Sequence, residues 1–162
     1  MPPVVLNLII INALMLLITE LFKDKIDLYH LLGLHFFSSQ WFESWQFVTY
    51  MFMHGGFYHL LFNMFALWMF GIVLEQVWGA KRFLTFYLVT GIGAGLIQLL
   101  VAYFRISSFE AALTTEQINA VYNTAPDLWN DALVKTQEAA NNMVALYRAV
   151  NTPTVGASGS VF

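Results

Sequence analysis

Three long apolar stretches dominate the first two thirds of the chain. Residues 4–22 and 57–78 each carry a single acidic residue near one end, and residues 83–104 carry no charge. A helix needs about 20 mostly apolar residues to cross the hydrocarbon core of a bilayer. Each stretch reaches that length, so the pattern predicts three transmembrane helices within a membrane region of residues 1–104.

The connections between these stretches differ in length and character. Residues 23–56 mix aromatic, histidine and charged residues in apolar pieces too short to cross, which is typical of interfacial or re-entrant helices. Trp41 and Trp45 suit the headgroup layer. The second connection is only residues 79–82 (GAKR), which predicts an antiparallel hairpin. Its Lys-Arg pair favours a cytoplasmic position, although two lysines in the first loop weaken that argument.

Residues 105–152 are rich in Ala, Asn, Gln and Thr, and they predict a helical hairpin outside the membrane. Thr114 and Gln117 fit a capping box at a helix start, and Pro126-Asp127 fits the first turn of a second helix. A fourth apolar segment begins near Val155, after Pro153, and does not reach spanning length. The apolar positions of the hairpin recur at near-helical spacing at Trp129, Leu133, Met143, Leu146 and Val150, with Ala132, Ala139 and Ala140 between them.

Composition supports the same class. The chain is 59% hydrophobic and 10% charged, compared with about 25% charged residues in soluble domains. Its net charge of −3 gives no electrostatic case for binding nucleic acid, and the absence of cysteine excludes disulfides and thiolate sites. The first apolar stretch lacks a basic n-region, which favours a retained span over a signal peptide. The predicted fold class is an all-α, polytopic membrane helical bundle with an extramembrane helical insertion.

Two patterns suggest ligands but have simpler explanations. Glycines at 91, 93 and 95 resemble part of a dinucleotide-binding motif, but they lie within an apolar span. The pair Gly91 and Gly95 is more typical of close approach by a neighbouring helix. His54 and His59 do not share a helical face, and no nearby cysteine or carboxylate completes a metal site, so no metal is expected. His30 and His35 are expected to be interfacial side chains.

A possible reaction centre combines two separate motifs. His59 and Asn63 are four residues apart, so both point from one face of the second span. Such polar pairs in a membrane mark a functional site or a helix–helix hydrogen bond worth about 0.6 kcal/mol. The GASG sequence around Ser158 fits either close packing or a nucleophile, which requires a base and oxyanion donors. Because spans two and three form a hairpin, the start of a fourth span enters on the side where span two begins.

Together these residues resemble the rhomboid intramembrane serine proteases. The similarity covers roughly residues 45–97 and 156–162. The matching motifs are Trp45-x-x-x-Thr49, His59-x-x-x-Asn63, the run Gly71, Glu75 and Gly79, and Gly156-x-Ser158-Gly159.

The resemblance implies that Ser158 is the nucleophile and that His59 and Asn63, with the serine amide, stabilise the oxyanion. Gly156, Gly159 and His54 are supporting residues, and the family's general base is a histidine on a sixth span. No histidine follows His59 here, and His59 itself is a poorer candidate for the base because it is expected to be a donor. The chain is therefore expected to be an inactive N-terminal fragment, truncated at the start of the fourth span.

The resemblance further implies single-pass transmembrane substrates within the lipid bilayer, no cofactor, and a bacterial inner membrane location. Residues 54–56 are expected to form a flexible, hydrated rim. The family's Trp-Arg pair is Trp45-Gln46 here, which implies loss of an ion pair to Glu43 and puts the anchoring of the loop in question. The insertion at 105–152 either shapes substrate access or is a tolerated surface insertion. A rhomboid-like pseudoprotease of the Derlin type is the alternative function, and Ser158 argues against it. An unrelated channel or transporter is disfavoured because no charge lies mid-span.

Overall fold

The computed structural model describes residues 1–129, 133–134 and 136–156. Regular secondary structure within these ranges is α-helical, apart from two short 3₁₀ turns and a β-bridge between Leu34 and Thr154. The predicted all-α class is confirmed. The helices are α1 (Pro3–Phe22), α2 (Leu28–Leu32), α3 (Gln46–Thr49), α4 (Phe57–Trp78), α5 (Ala80–Glu110), α6 (Thr115–Asn123) and α7 (Gln137–Asn151).

Helices α1, α4 and α5 are long and apolar enough to cross a membrane. They contain the three predicted spans, and α5 continues past residue 104 to Glu110. Only 22–28% of the most apolar window of each helix is buried within the protein. The remaining apolar surface is far larger than soluble monomers expose, so lipid must cover it. The chain is an integral membrane protein.

The chain divides into two compact units. The first contains Met1–Leu34, Glu43–Leu96 and the segment that begins at Pro153, and the second contains His35–Phe42 and Ile97–Thr152. Helix α5 belongs to both, because the division falls between residues 96 and 97.

The start of α1 is held by a carboxylate from α4. The Val4 and Val5 amides donate to the two oxygens of Glu75 at 3.0 and 2.8 Å. These amides belong to the first turn of α1, where N–H groups lack helical partners, and a carboxylate there also complements the helix dipole. Glu75 is only 4% exposed, so its charge is compensated by these contacts. This capping fixes the first turn of α1 against the last turn of α4.

We expect Glu75→Ala to lower the free energy of unfolding by about 2 kcal/mol, because two first-turn amides lose a charged acceptor. Glu75→Gln keeps one acceptor oxygen and should show a smaller loss. Glu20→Ala is the matched control, since Glu20 pairs with Lys23 in an exposed position worth about 0–1 kcal/mol. Reversible unfolding in mixed micelles measures all three. Equal stability of the Glu75→Ala and Glu20→Ala variants would contradict the capping role.

The chain reverses between α4 and α5 at a single residue. Gly79 adopts φ +81°, a left-handed conformation that favours glycine, and its amide donates to the Glu75 carbonyl at 2.8 Å. The predicted four-residue turn is therefore too long, and Lys81 and Arg82 lie in the first turn of α5. Beyond the reversal, Trp78 and Phe86 meet edge to face with ring centroids 5.2 Å apart.

The first loop is anchored through the carbonyls at the end of α2. Gln46 is fully buried, and its amide group donates to the carbonyls of His30 and Leu31, each at 3.4 Å. Trp45 Nε1 donates to the Leu31 carbonyl at 3.2 Å, and Thr49 Oγ1 to that of Leu32 at 2.7 Å. The expectation that Gln46 weakens the anchoring is wrong, because its amide satisfies helix-end carbonyls directly.

The second unit has its own hydrophobic core. Thr114 and Gln117 form the predicted capping box at the start of α6. The long second helix does not begin at Pro126, which starts a 3₁₀ turn (Pro126–Leu128). It begins at Gln137, and the Thr136 side chain caps it by accepting a hydrogen bond from the Ala139 amide. The core residues are Ile106, Val121, Met143, Leu146 and Val150, with Trp129 and Leu133 packed against them.

Segment 35–42 of the first loop belongs to this second unit. Ser39 donates to Asn151 Oδ1 at 3.0 Å, and His35 is fully buried. The expectation that His35 lies at the interface is therefore wrong.

Candidate active site

The segment leading to the GASG motif is held by backbone hydrogen bonds to the first loop. Leu34 and Thr154 exchange N–H···O bonds of 2.9 and 2.8 Å, and the Gly156 amide donates to the Tyr50 carbonyl at 2.9 Å. Residues 155 and 156 are not helical. These three bonds fix the chain up to Gly156. Ser158 and Gly159 lie outside the described residues.

Tyr50 also reaches α5. Its hydroxyl donates to the Gly91 carbonyl at 2.6 Å, and the side of Gly95 faces its ring. A Cβ at Gly91 would collide with Met51. The predicted close approach at these two glycines is therefore correct, but the neighbour is the 3₁₀ turn Tyr50–Phe52 rather than a long helix. Tyr50 joins α5 to the Gly156 segment, and nothing in its sequence context indicated this role.

Gly156 lies directly against the polar pair of α4. An ideal Cβ at Gly156 would be 2.6 Å from His59 Cε1, 2.7 Å from Nε2 and 3.6 Å from Asn63 Nδ2. The residue also adopts φ +112°, a conformation that side-chain-bearing residues rarely take. Only glycine fits this position. The fold thus brings Gly156, two residues before Ser158, together with His59 and Asn63.

The hydrogen bonding of His59 determines which ring nitrogen carries the proton. The Gly55 amide donates to His59 Nδ1 at 3.2 Å, so Nδ1 is an acceptor. A neutral imidazole has one donor and one acceptor, and its proton is therefore on Nε2. Nε2 and the neighbouring Cε1 are the ring atoms that face Gly156. Neutral His59 is thus a hydrogen-bond donor toward this segment and has no free lone pair with which to act as a base there.

Asn63 provides a second donor at the same place. The residue is 2% exposed, and its Nδ2 has no hydrogen-bond partner among the residues that the structure describes. A buried amide without a hydrogen-bond partner lowers the stability of the fold by about 1–3 kcal/mol, so such a group needs an explanation. A role in binding a reaction intermediate would explain it here. Two N–H donors from successive turns of α4 therefore face the Gly156 segment.

His54 packs against His59 rather than forming a rim. Its ring is 1% exposed and meets the His59 ring edge to face, with centroids 5.1 Å apart. Burial, together with the neighbouring His59, lowers the pKa of His54 to about 4, and the Phe52 backbone offsets this only in part. His54 is therefore neutral near pH 7. The expected hydrated position is wrong for His54, whereas Gly55 is exposed.

No group of three metal-ligating side chains occurs within the described ranges. His54 and His59 are close, but no acidic residue joins them in such a group. The geometry of the described residues thus offers hydrogen-bond donors and a fixed backbone segment.

Comparison with known families identifies the fold to which these features belong. The family model described as Rhomboid domain matches residues 41–162, three quarters of the chain. The chain belongs to the rhomboid family. The match includes the polar pair of α4, the reversal at Gly79 and the GASG motif.

Relatives of this rhomboid chain come from plants and bacteria. RHOMBOID-like protein 6, mitochondrial, of Arabidopsis thaliana is 40% identical over 65 residues, which is 40% of this chain and 21% of the relative. Rhomboid protease AarA of Providencia stuartii is 30% identical over 92 residues, 57% of this chain and 27% of the relative. Rhomboid protease GluP of Bacillus subtilis (strain 168) is 37% identical over 70 residues, which is 43% of this chain and 13% of the relative.

The matched part of this rhomboid chain thus spans between 13% and 27% of the length of these three relatives. No solved structure matches it.

Proposed function

We propose that this rhomboid chain supplies the nucleophile and the oxyanion donors of an intramembrane serine endopeptidase. The observation that carries the proposal is the contact of Gly156 with His59 and Asn63. Two residues of extended chain span at most about 7 Å, and we propose that Ser158 acts beside both donors. Ser158 Oγ attacks the carbonyl carbon of a substrate peptide bond. The resulting oxyanion accepts hydrogen bonds from His59 Nε2, Asn63 Nδ2 and the Ser158 amide.

The proton of Ser158 requires a base that these residues do not offer. His59 Nε2 is already protonated in the neutral ring, because Nδ1 accepts the Gly55 amide. His54 is buried and has a pKa of about 4, so it is a weak base. His35 is fully buried, and His30 forms an exposed pair with Asp27. We therefore propose that a full-length protein supplies the histidine base from outside these 162 residues, and that the 162 residues alone do not cleave.

The proposed substrates are single-pass transmembrane proteins cleaved within the lipid bilayer. A helix in lipid keeps its carbonyls in internal hydrogen bonds, so substrates should have unstable, small-residue stretches that unwind near the site. Residues 1–104 would form the membrane region, 105–152 an extramembrane insertion, and 153–162 the start of a fourth span. We propose a bacterial cell membrane as the location, although the relatives named above come from a plant as well as from bacteria.

Removing one oxyanion donor tests the proposal. In full-length protein, Asn63→Ala should lower kcat for a model transmembrane substrate by about 100-fold and change KM by less than about 3-fold, because the donor acts mainly on the transition state. Gln76→Ala, which removes an exposed amide from the same helix, is the control and should retain kcat.

The thermal midpoint separates this role from a structural one. If Asn63 only pinned a neighbouring helix, Asn63→Ala would lower the midpoint and leave kcat per folded molecule unchanged. That result would contradict the oxyanion role.

A further inference from the structure

A groove lies beside the reversal between α4 and α5. We name it the Trp78 groove; its lining residues are Trp78, Lys81, Arg82, Thr85, Phe86 and Val89. On α5, positions 82, 85, 86 and 89 follow the spacing i, i+3, i+4 and i+7 and so share one helix face. That face begins with Arg82 in the first turn of α5, next to Lys81, and becomes apolar one turn further into the span.

Within the part of the chain that the structure describes, neither cation of the Trp78 groove has a counter-charge. Lys81 and Arg82 are exposed, and the ion pairs of the described residues are Lys23–Glu20 and His30–Asp27. The Thr85 hydroxyl does not contribute to binding an anion, because its proton is already donated to the Lys81 carbonyl at 3.0 Å. The polar end of the groove therefore carries two positive charges.

The other end of the groove suits hydrocarbon. Trp78 and Phe86 form an edge-to-face corner, and Val89 continues it as a surface that is 63% exposed. Trp78 ends one apolar span and Lys81 is in the first turn of the next, so the cations lie at the boundary between the headgroup and acyl layers. The groove is open and shallow, and it offers about 700 Å³ of space. A molecule with an anionic head and an apolar chain matches both ends.

We propose that the Trp78 groove binds an anionic phospholipid. The phosphodiester lies between the Lys81 ammonium and the Arg82 guanidinium, and one acyl chain lies along Phe86 and Val89. The cationic end attracts the charge, and the apolar wall distinguishes a lipid from a free phosphate. The proposal does not depend on proteolysis.

Lipid titration of the purified chain followed by native mass spectrometry tests this proposal. Phosphatidylglycerol should bind more tightly than phosphatidylcholine of the same acyl chains. Each basic residue near a headgroup changes affinity roughly 5-fold, so K81Q/R82Q should weaken phosphatidylglycerol binding on the order of 30-fold. K81R/R82K should retain the affinity of the unaltered chain.

Two further arms make the test decisive. K23Q/K25Q removes the same charge from the first loop and should leave the affinity for phosphatidylglycerol within about 2-fold. Phe86→Ala should weaken the binding of both lipids, because it removes part of the apolar surface along which the acyl chain lies. Glycerol phosphate at the same concentration should not displace the lipid. The proposal is overturned if K81Q/R82Q and K23Q/K25Q have equal effects, if the two lipids bind equally, or if glycerol phosphate displaces them.

Discussion

Replacing Ser158 with alanine is expected to abolish cleavage of a transmembrane substrate by full-length protein, with a fall in kcat of at least ~10⁴-fold. The alanine cannot form the acyl-enzyme, and only the oxyanion donors remain to assist direct attack by water. Binding of the substrate helix should change little, because a single hydroxyl adds little contact area. The measurement is a cleavage time course in proteoliposomes at equal amounts of folded enzyme.

Ser160→Ala is the control for Ser158→Ala, since it removes a second hydroxyl two residues further along the same segment. This variant should cleave at close to the original rate. Cleavage by Ser158→Ala at the original rate would exclude the acyl-transfer mechanism. Equal loss in both variants would instead show that the segment is sensitive to any change and that Ser158 has no special role.

Features that depend on local spacing were predictable from the sequence. The spans follow from the length of apolar runs, since hydropathy over about 20 residues decides whether a helix can cross. The shared face of His59 and Asn63 follows from the helical period. The capping box at Thr114 and Gln117 is also local, because its two hydrogen bonds join residues three positions apart.

Features that depend on contacts distant in sequence were not predictable in the same way. Glu75 meets amides about 70 positions away, and Leu34 pairs with Thr154, about 120 positions later in the chain. Neither pairing leaves a periodic signal. The prediction that the second helix of the insertion starts at Pro126 was wrong for another reason. A proline followed by an aspartate suits the first turn of a 3₁₀ helix as well as that of an α-helix.

The histidines show how burial changes an interpretation made from residue type. His54 precedes two glycines, a context that suggested a hydrated rim, yet its ring is buried against His59. That packing places two imidazoles in contact, and the Gly55 amide then determines the tautomer of the second one. The donor character of His59 therefore depends on a backbone hydrogen bond that no side-chain motif could reveal.

Gly156→Ala is expected to have the second largest effect on cleavage. Its Cβ would lie 2.6 Å from His59 Cε1, closer than any two carbons approach without a bond, and its φ of +112° is strained for alanine. Either the His59 ring moves and a donor is lost, or the segment that carries Ser158 moves. Losing a donor costs about 10²-fold in kcat, and a 1 Å displacement of the reacting group costs about as much. A fall of about 10²- to 10³-fold in full-length protein is therefore expected, the larger value where one substitution displaces both groups.

Gly93→Ala is the matched control for Gly156→Ala, because a Cβ at Gly93 meets no atom within 4 Å and the residue is helical. Alanine also favours helix over glycine by about 1 kcal/mol, so this variant should retain its stability and cleave normally. The same His59 contact predicts that Gly156→Ser is as inactive as Gly156→Ala, since the collision arises at Cβ. Normal cleavage by Gly156→Ala would mean that the contact between Gly156 and His59 has no part in the reaction, and the oxyanion proposal would lose its main support.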